Sequence, residues 1–118
     1  MSEFLLIVRT EGDIWTLLPP DKLRQHIEHG TAYINKLIKD GKIKSAQPLD
    51  KGSRIVTKTD GLLKDAPFNE SKEVIAGYFL VVANTLQEAI EIAKENPIFE
   101  DIPTIIEVHP VKPIPPSS

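Results

Sequence analysis

The strongest constraint on the fold is a long apolar segment, residues 74–83, which reads VIAGYFLVVA. Its length and its content of β-branched and aromatic residues predict a β-strand. Alternate side chains of a strand point to opposite faces of a sheet. Both sets are apolar here: Tyr78, Leu80 and Val82 on one face, and Phe79, Val81 and Ala83 on the other. Residues 4–9 repeat this pattern, so the predicted sheet needs cover on both faces.

Two amphipathic helices are predicted to cover one of these faces. The first begins after a pair of prolines and ends at Gly41, where glycine favours the left-handed conformation of a helix stop. The second begins at the capping-box pair Thr85 and Glu88 and ends before Pro97. The stripe of the first helix that is expected to face the sheet consists of Leu23, Ile27, Gly30, Ile34, Leu37 and Ile38.

The remaining predicted strands are short. We predict strands over residues 42–48 and 104–111, and a hairpin of residues 54–58 and 62–64 that turns at an Asp-Gly pair. The order β, α, β, hairpin, β, α, β predicts an α+β fold with a ferredoxin-like antiparallel sheet and both helices on one face.

The second face of this sheet predicts a partner. Two helices cover one face, and the other would expose more apolar surface than monomeric proteins normally show. We therefore predict a homodimer in which a twofold partner packs sheet on sheet. The alternative is that the hairpin and the neighbouring loops fold over that face.

Composition limits the partners and the compartment. A length of 118 residues fits one domain, predicted over residues 1–112, with a flexible tail at residues 113–118. A net charge of −3 with mixed charges along the chain argues against nucleic-acid binding. We expect no membrane partner and no signal peptide, because no apolar run approaches roughly 18 residues and the N-terminus lacks a basic segment. The absence of cysteine fits a cytoplasmic protein.

The segment between the hairpin and the long strand carries a family resemblance. Residues 65–73 read DAPFNESKE, and residues 75–79 read IAGYF. Together they resemble the DGPF signature of the YCII-related family, with Ala66 in the place of its glycine. The end of the first helix, the start of the second and residues 106–111 agree with the same family. The resemblance implies a ferredoxin-like domain that forms a dimeric α/β barrel.

The resemblance implies little about activity, because most of the family has no known activity. One branch includes a dehydrochlorinase that acts on chlorinated hydroxyhydroquinones and is thought to use a histidine–aspartate pair. Its helix histidine falls 11 residues before the helix-ending glycine, a position occupied here by Gly30, with His29 adjacent. This departure argues against the same pair in this chain. A lyase or isomerase acting in the barrel interior is an alternative that rests on family analogy.

Glu107 and His109 are the predicted catalytic pair. They lie two residues apart on the last strand and therefore share a face. If that face lines the interior of a dimer, His109 would act as a base or ligand contact and Glu107 would orient it. The alternative is a structural pair at the strand edge, or two side chains in solvent.

Four further residues are predicted to contact a ligand. Asp65 and Phe68 belong to the signature segment, Tyr78 to the long strand, and His26 to the first helix, about 70° from the centre of its stripe. His29, about 130° from that centre, is expected to face solvent. The alternatives are a turn-capping role for Asp65 and packing in the core for Phe68 and Tyr78.

The predicted function is a small-molecule-binding homodimer, or an accessory protein, without established catalysis. The sequence has no glycine-rich phosphate loop, no His-x-x-x-His pattern and no G-x-S-x-G elbow, and we predict neither a cofactor nor a metal. The alternatives are the lyase or isomerase above and a protein-interaction module. A cavity with converging polar groups would favour ligand binding or catalysis over the interaction module.

Overall fold

The chain folds as an α+β domain. A computed structural model describes residues 1–67 and 73–115. In chain order the elements are β1 (Ser2–Glu11), α1 (Ile14–Leu17), α2 (Pro20–Lys39), β2 (Ile43–Pro48), β3 (Arg54–Thr59), β4 (Leu62–Pro67), β5 (Glu73–Ala83), α3 (Leu86–Lys94), a 3₁₀ turn (Pro97–Glu100) and β6 (Thr104–Pro110).

The two apolar segments form the centre of a four-stranded sheet with the order β2-β5-β1-β6. All neighbouring strands are antiparallel. The two strands that flank each long helix are separated by a strand of the other half, because β5 lies between β1 and β2, and β1 lies between β5 and β6. This is the ferredoxin-like arrangement, so the predicted fold is confirmed.

Gly77 allows the edge strand β2 to lie close to β5. A Cβ atom at this position would lie 2.6 Å from the backbone oxygen of Gln47. A glycine inside a strand commonly marks such a close approach of another backbone segment. Any larger residue would therefore push β2 away from the sheet.

Helix α2 turns most of its predicted stripe toward the sheet, because Leu23, Gly30, Ile34 and Leu37 are at least partly buried. Ile27 and Ile38 belong to the predicted stripe but are exposed. The inward face is therefore displaced by a small rotation from the predicted stripe, toward His26 and Tyr33. The residues that are partly or fully buried on this face are Leu23, His26, Gly30, Tyr33, Ile34 and Leu37.

Tyr33 determines how α2 is rotated. Its ring packs edge-on against Phe79 of β5, with 5.8 Å between the ring centroids. Its hydroxyl donates a hydrogen bond to the backbone oxygen of Ile92 at 2.5 Å. A buried tyrosine needs both an apolar contact and a hydrogen-bond partner, and both are met only when Tyr33 points inward. The same rotation brings His26, seven residues earlier, toward the sheet.

Helix α3 begins at the predicted capping residues. The hydroxyl of Thr85 accepts a hydrogen bond from the backbone N–H of Glu88 at 3.1 Å. The carboxylate of Glu88 accepts from the backbone N–H of Asn84 at 3.3 Å, one residue before the capping-box position. Over the described residues, none of the helices has the length and hydropathy needed to cross a membrane.

Two clusters of buried side chains lie between the sheet and the helices. The larger cluster consists of Phe4, Leu6, Tyr33, Leu37, Val81, Ala83, Ala89, Ile92 and Ala93. The smaller cluster consists of Val8, Ile14, Ile98 and Ile102. Its isoleucines come from α1, the 3₁₀ turn and the residues after that turn, and neither of these two short elements was predicted from the sequence.

The second face of the sheet is open in the described part of the chain. Leu5, Ile7 and Leu80 on this face are partly exposed. The hairpin of β3 and β4 turns at Asp60 and Gly61, which have φ values of 51° and 77°, as a type I′ turn requires. Its residues are exposed on both sides, so the hairpin does not cover the open face.

The predicted tail is described as far as residue 115. Residues 111–115 are exposed and have no regular secondary structure, while the last three residues lie outside the described ranges. Val111 is tied to the sheet, because its N–H donates to the backbone oxygen of Glu3 at 3.0 Å.

Candidate functional site

A cleft of about 330 Å³ lies between α2 and the sheet, and most of its wall is apolar. The inward face of α2 forms one side, and residues 74–79 of β5 form another. The loop after β2, residues 49–53, borders a third side. At the rim, α1 places the exposed ring of Trp15 beside the cleft.

Small residues create this space. Gly30 lies in the helix wall, and a Cβ atom built there would meet no atom within 4 Å. Ala46, Ala76 and Gly77 border the cleft on the strand side. The cleft therefore results from four positions without bulky side chains, on elements that are otherwise regular.

One histidine–carboxylate pair lies at the wall of this cleft. His26 lines the cleft from α2, and its Nδ1 lies 2.7 Å from Oδ2 of Asp101. The two side chains are 17% and 23% exposed. They are 75 positions apart in sequence, so the fold alone brings them together.

The 3₁₀ turn fixes the position of Asp101. Asn96 starts the turn, with its side-chain oxygen accepting from the N–H of Ile98 at 3.0 Å. The N–H of Asp101 then donates to the backbone oxygen of Ile98 at 3.0 Å. Ile98 and Ile102, on either side of the aspartate, are both buried. The carboxylate is therefore held by a packed turn rather than by a free loop.

The pair defines the chemistry of the imidazole. An ionised carboxylate can only accept hydrogen bonds, so the contact is satisfied when Nδ1 of His26 carries the proton. Across residues 1–67 and 73–115, Nε2 of His26 makes no hydrogen bond. A neutral His26 in this arrangement would offer an acceptor nitrogen to a molecule in the cleft.

Three other polar side chains that border the cleft are engaged within the protein. Tyr33 donates to a backbone oxygen, as described above, and its burial, with a smaller contribution from Glu95, raises the pKa of its phenol. The hydroxyl of Thr10 donates to the backbone oxygen of Gly12 at 2.8 Å. Asn96 caps the 3₁₀ turn. These hydrogen bonds stabilise the fold and occupy the donors of Tyr33 and Thr10 and the side-chain oxygen of Asn96.

The charged side chains that border the cleft are mixed in sign. Asp13 caps α1 by accepting from the N–H of Trp15 at 3.0 Å. Asp50 and Lys51 lie in the exposed loop after β2. Together with Asp101, which contacts His26, these residues give three carboxylates and one ammonium group near the cleft.

The predicted pair Glu107 and His109 does form, but on the open face of the sheet and outside the cleft. Nε2 of His109 lies 2.8 Å from Oε1 of Glu107. Arg9 donates from Nε to the other carboxylate oxygen. The hydrogen bond from Arg9, and then that from His109, lower the pKa of Glu107. The two residues stand opposite Ile7 and Leu5 of β1.

The other predicted contacts are scattered. Oδ2 of Asp65 accepts from Nε of Arg54 at 2.8 Å across the exposed hairpin. Tyr78 borders the cleft, but strand alternation directs its ring to the open face beside Ile7. Phe68 lies outside the described residues. Of these predicted contacts, His26 is the one whose side chain the described structure brings into the cleft.

Sequence reasoning missed Asp101 and the role of Gly30. The sequence did contain a signal for Gly30, because a glycine in the middle of a predicted helix costs stability and usually has a packing or functional reason. The signal for Asp101 was weak, because it depends on a short 3₁₀ turn. Within the described ranges, no group of three or more histidine, aspartate or glutamate side chains is placed to hold a metal ion.

Comparison with known proteins gives one result at the level of the family. The sequence model of the YCII-related domain matches residues 3–115, which is nearly the whole chain. A search of curated proteins finds no match.

Proposed function

The chain belongs to the YCII-related domain family, and from that premise we propose that it is a homodimer that binds a small organic molecule in the cleft between α2 and the sheet. The observation that carries the proposal is a single imidazole, held by Asp101, at the wall of a mostly apolar cleft. Binding sites for small molecules combine apolar walls with a few well-placed polar groups.

The dimensions of the cleft support the proposal. Ligand pockets have volumes of roughly 300–1,000 Å³, and the cleft has about 330 Å³. A glycine in a helix interior costs about 0.5–1 kcal/mol relative to alanine. At Gly30 an alanine would fit without contact, so the chain gives up stability at a position where a side chain would fill the cleft.

The open face of the sheet supports the homodimer. Leu5, Ile7 and Leu80 are partly exposed there, and the hairpin does not cover them. A second copy that packs its own open face against this one would bury both apolar surfaces and form the dimeric α/β barrel expected for the family. We place this dimer in the cytoplasm, which the cysteine-free sequence supports.

A ligand screen with two matched variants tests the binding proposal. Thermal shift would be measured against a panel of aromatic acids, quinols, lactones and common metabolites, because a ligand that binds only the folded state stabilises it. Gly30→Leu should fill the cleft without a backbone clash, whereas Asn35→Leu adds the same side chain at an exposed position of α2. We expect a saturable shift in the wild type and in Asn35→Leu, and none in Gly30→Leu.

The opposite pattern would contradict the cleft as the binding site. A ligand whose shift persists in Gly30→Leu binds elsewhere, and a flat response of a folded protein across the panel would favour protein docking as the function. Circular dichroism of both variants confirms that they fold.

A lyase or isomerase is the second candidate, and the contact between His26 and Asp101 favours it. Histidine oriented by a carboxylate is a common arrangement for proton transfer. Incubation of an identified ligand with the protein in deuterated water distinguishes the two functions. Deuterium incorporation or product formation would indicate an enzyme, and an unchanged ligand a binding protein.

A further inference from the structure

We propose that His26 and Asp101 form a proton-accepting pair that selects an uncharged, weakly acidic small molecule, such as a phenol, an enol or an N–H heterocycle. The ligand would donate its O–H or N–H group to Nε2 of His26. This inference rests on the proposed function, because it names the class of ligand for the same cleft.

Asp101 determines the direction of the hydrogen bond between the two residues. Oδ2 of Asp101 lies 2.7 Å from Nδ1 of His26, and the carboxylate has no proton to donate when ionised. Asp101 therefore holds the neutral ring in the form with the proton on Nδ1. Both side chains are more than three quarters buried, so competition from water is limited.

The other ring nitrogen of His26, Nε2, determines which group a ligand must offer. Nε2 of His26 makes no hydrogen bond within the described parts of the chain, and the side chain borders the cleft. An unprotonated Nε2 accepts and cannot donate. A ligand with an O–H or N–H group satisfies it, whereas a ligand with only carbonyl or ether oxygens leaves it unpaired, which costs affinity.

The charge around the cleft disfavours an anionic ligand. Asp13 and Asp50 border it, Asp101 lies behind His26, and Lys51 is the one cationic side chain among the described residues that border it. A carboxylate or phosphate ligand would therefore meet more negative than positive charge. An uncharged ligand enters without that repulsion, and the apolar wall favours it further.

The proton balance of the step is simple. The O–H or N–H bond of the ligand breaks, its electron pair stays on the ligand, and the proton moves to Nε2 of His26. The resulting imidazolium ion is stabilised by the carboxylate of Asp101. Asp101 is thus a positioning residue that acts through His26, and no oxidant or further reactant is needed.

Nuclear magnetic resonance of the ring nitrogens tests the position of the proton. In ¹⁵N-labelled wild-type protein, neutral His26 should carry its proton on Nδ1. Asp101→Asn should move the proton to Nε2, because the asparagine amide can donate to Nδ1. The control Glu107→Gln, on the open face, should leave the His26 signals unchanged. A wild-type ring protonated on Nε2 would overturn the proposal.

A pair of small probes tests the selection of an acidic group. 4-Cyanophenol carries an O–H and is mostly un-ionised at neutral pH, and 4-cyanoanisole has the same ring with a methyl ether. Trp15, the one tryptophan of the chain, borders the cleft and reports binding by its fluorescence. We expect wild type to bind the phenol at least about tenfold more tightly, as one hydrogen bond allows, with an absorbance shift toward the phenolate.

Substitutions test whether the preference for the phenol depends on His26 and Asp101. His26→Leu, which has no acceptor atom, and Asp101→Asn should abolish the preference for the phenol, while His109→Leu should retain it. Equal binding of the two probes by the wild type, or no binding of the phenol, would refute the proposal.

Comparison of the Gly30→Leu variant with the variants of the pair distinguishes failure of the pair from failure of the cleft as the binding site. A ligand from the broader panel whose binding is blocked by Gly30→Leu but unchanged by His26→Leu and Asp101→Asn would reject the proton-accepting pair and leave the proposed binding function intact. Binding that is indifferent to all three substitutions would reject both.

Discussion

The chain contains two histidine–carboxylate pairs with nearly the same contact distance but different surroundings, one through Nδ1 of its histidine and the other through Nε2. The contact between His26 and Asp101 is 2.7 Å long, and that between His109 and Glu107 is 2.8 Å long. The first pair is 17% and 23% exposed and borders a cleft. In the single chain the second is 52% and 32% exposed on the open face of the sheet, the face that the proposed homodimer would cover. A short contact is therefore not enough to identify a reactive site.

The partners of each carboxylate add to this difference. Glu107 is shared between His109 and Arg9, and the guanidinium is the stronger of its two partners. The described side chains give Asp101 one partner, His26. A carboxylate already neutralised by an arginine has less influence on an imidazole than one that faces the imidazole alone. We infer that the cleft pair is better suited to accept a proton from a ligand and that the open-face pair is mainly structural.

The largest expected effect separates the two faces of β1. Leu6→Ala should lower the free energy of unfolding by about 2–5 kcal/mol, because it leaves a cavity in a packed core, and Leu6 is 1% exposed. Leu5→Ala, one residue earlier on the open face, should weaken self-association instead. Urea unfolding measures the first effect, and analytical ultracentrifugation over a range of protein concentrations measures the second.

Two results would contradict this division of roles. A wild-type protein that stays monomeric at every concentration would remove the predicted partner from the open face. A Leu5→Ala variant that loses as much stability as Leu6→Ala while both proteins are monomeric would show that the open face is covered within the chain.

The open-face pair could be predicted from the sequence, and the cleft pair could not. Glu107 and His109 lie two residues apart on a strand, so alternation alone places them on one face. His26 and Asp101 are 75 positions apart and meet only because a 3₁₀ turn fixes the aspartate and Tyr33 rotates α2. The strands, the long helices and the ferredoxin-like order followed from apolar spacing and capping residues.

The position of the cleft depended on a detail that apolar spacing does not contain. Ile27 and Ile38 counted toward the predicted stripe of α2, whereas the tyrosine that anchors the helix did not. A tyrosine is apolar along its ring and polar at its tip, so its direction depends on whether a backbone oxygen is in reach. That oxygen belongs to Ile92 of α3, which is known only once the fold is known.

The second largest effect concerns the empty space beside the cleft pair. Gly30→Ala should raise the free energy of unfolding by about 0.5–1 kcal/mol, because the added Cβ meets no atom within 4 Å. Gly77→Ala is the matched control across the cleft. There the Cβ would lie 2.6 Å from the backbone oxygen of Gln47, so we expect a loss of stability. Thermal unfolding of both variants checks the signs, and a destabilised Gly30→Ala would mean that the space is not open.

The smallest expected effect is the contribution of the open-face pair to acid stability. The pKa of Glu107 lies below its ordinary value of 4.5 in the folded chain, mainly because Arg9 donates to it. A carboxylate with a lowered pKa contributes stability that is fully present above 4.5 and is lost as the pH falls through the folded value. Glu107→Gln should therefore be less stable than the wild type near neutral pH, and this difference should shrink in acid.

His109→Gln provides the control for this pH profile. It removes the imidazole, whose hydrogen bond lowers the pKa of Glu107 less than that of Arg9, and leaves Arg9 in place. Most of the acid dependence should therefore persist in this variant when unfolding is measured by urea titration at a series of pH values. A profile of His109→Gln that matches Glu107→Gln would mean that the imidazole, and not the guanidinium, dominates the open-face pair. The two histidine–carboxylate pairs would then be closer in character than their surroundings imply.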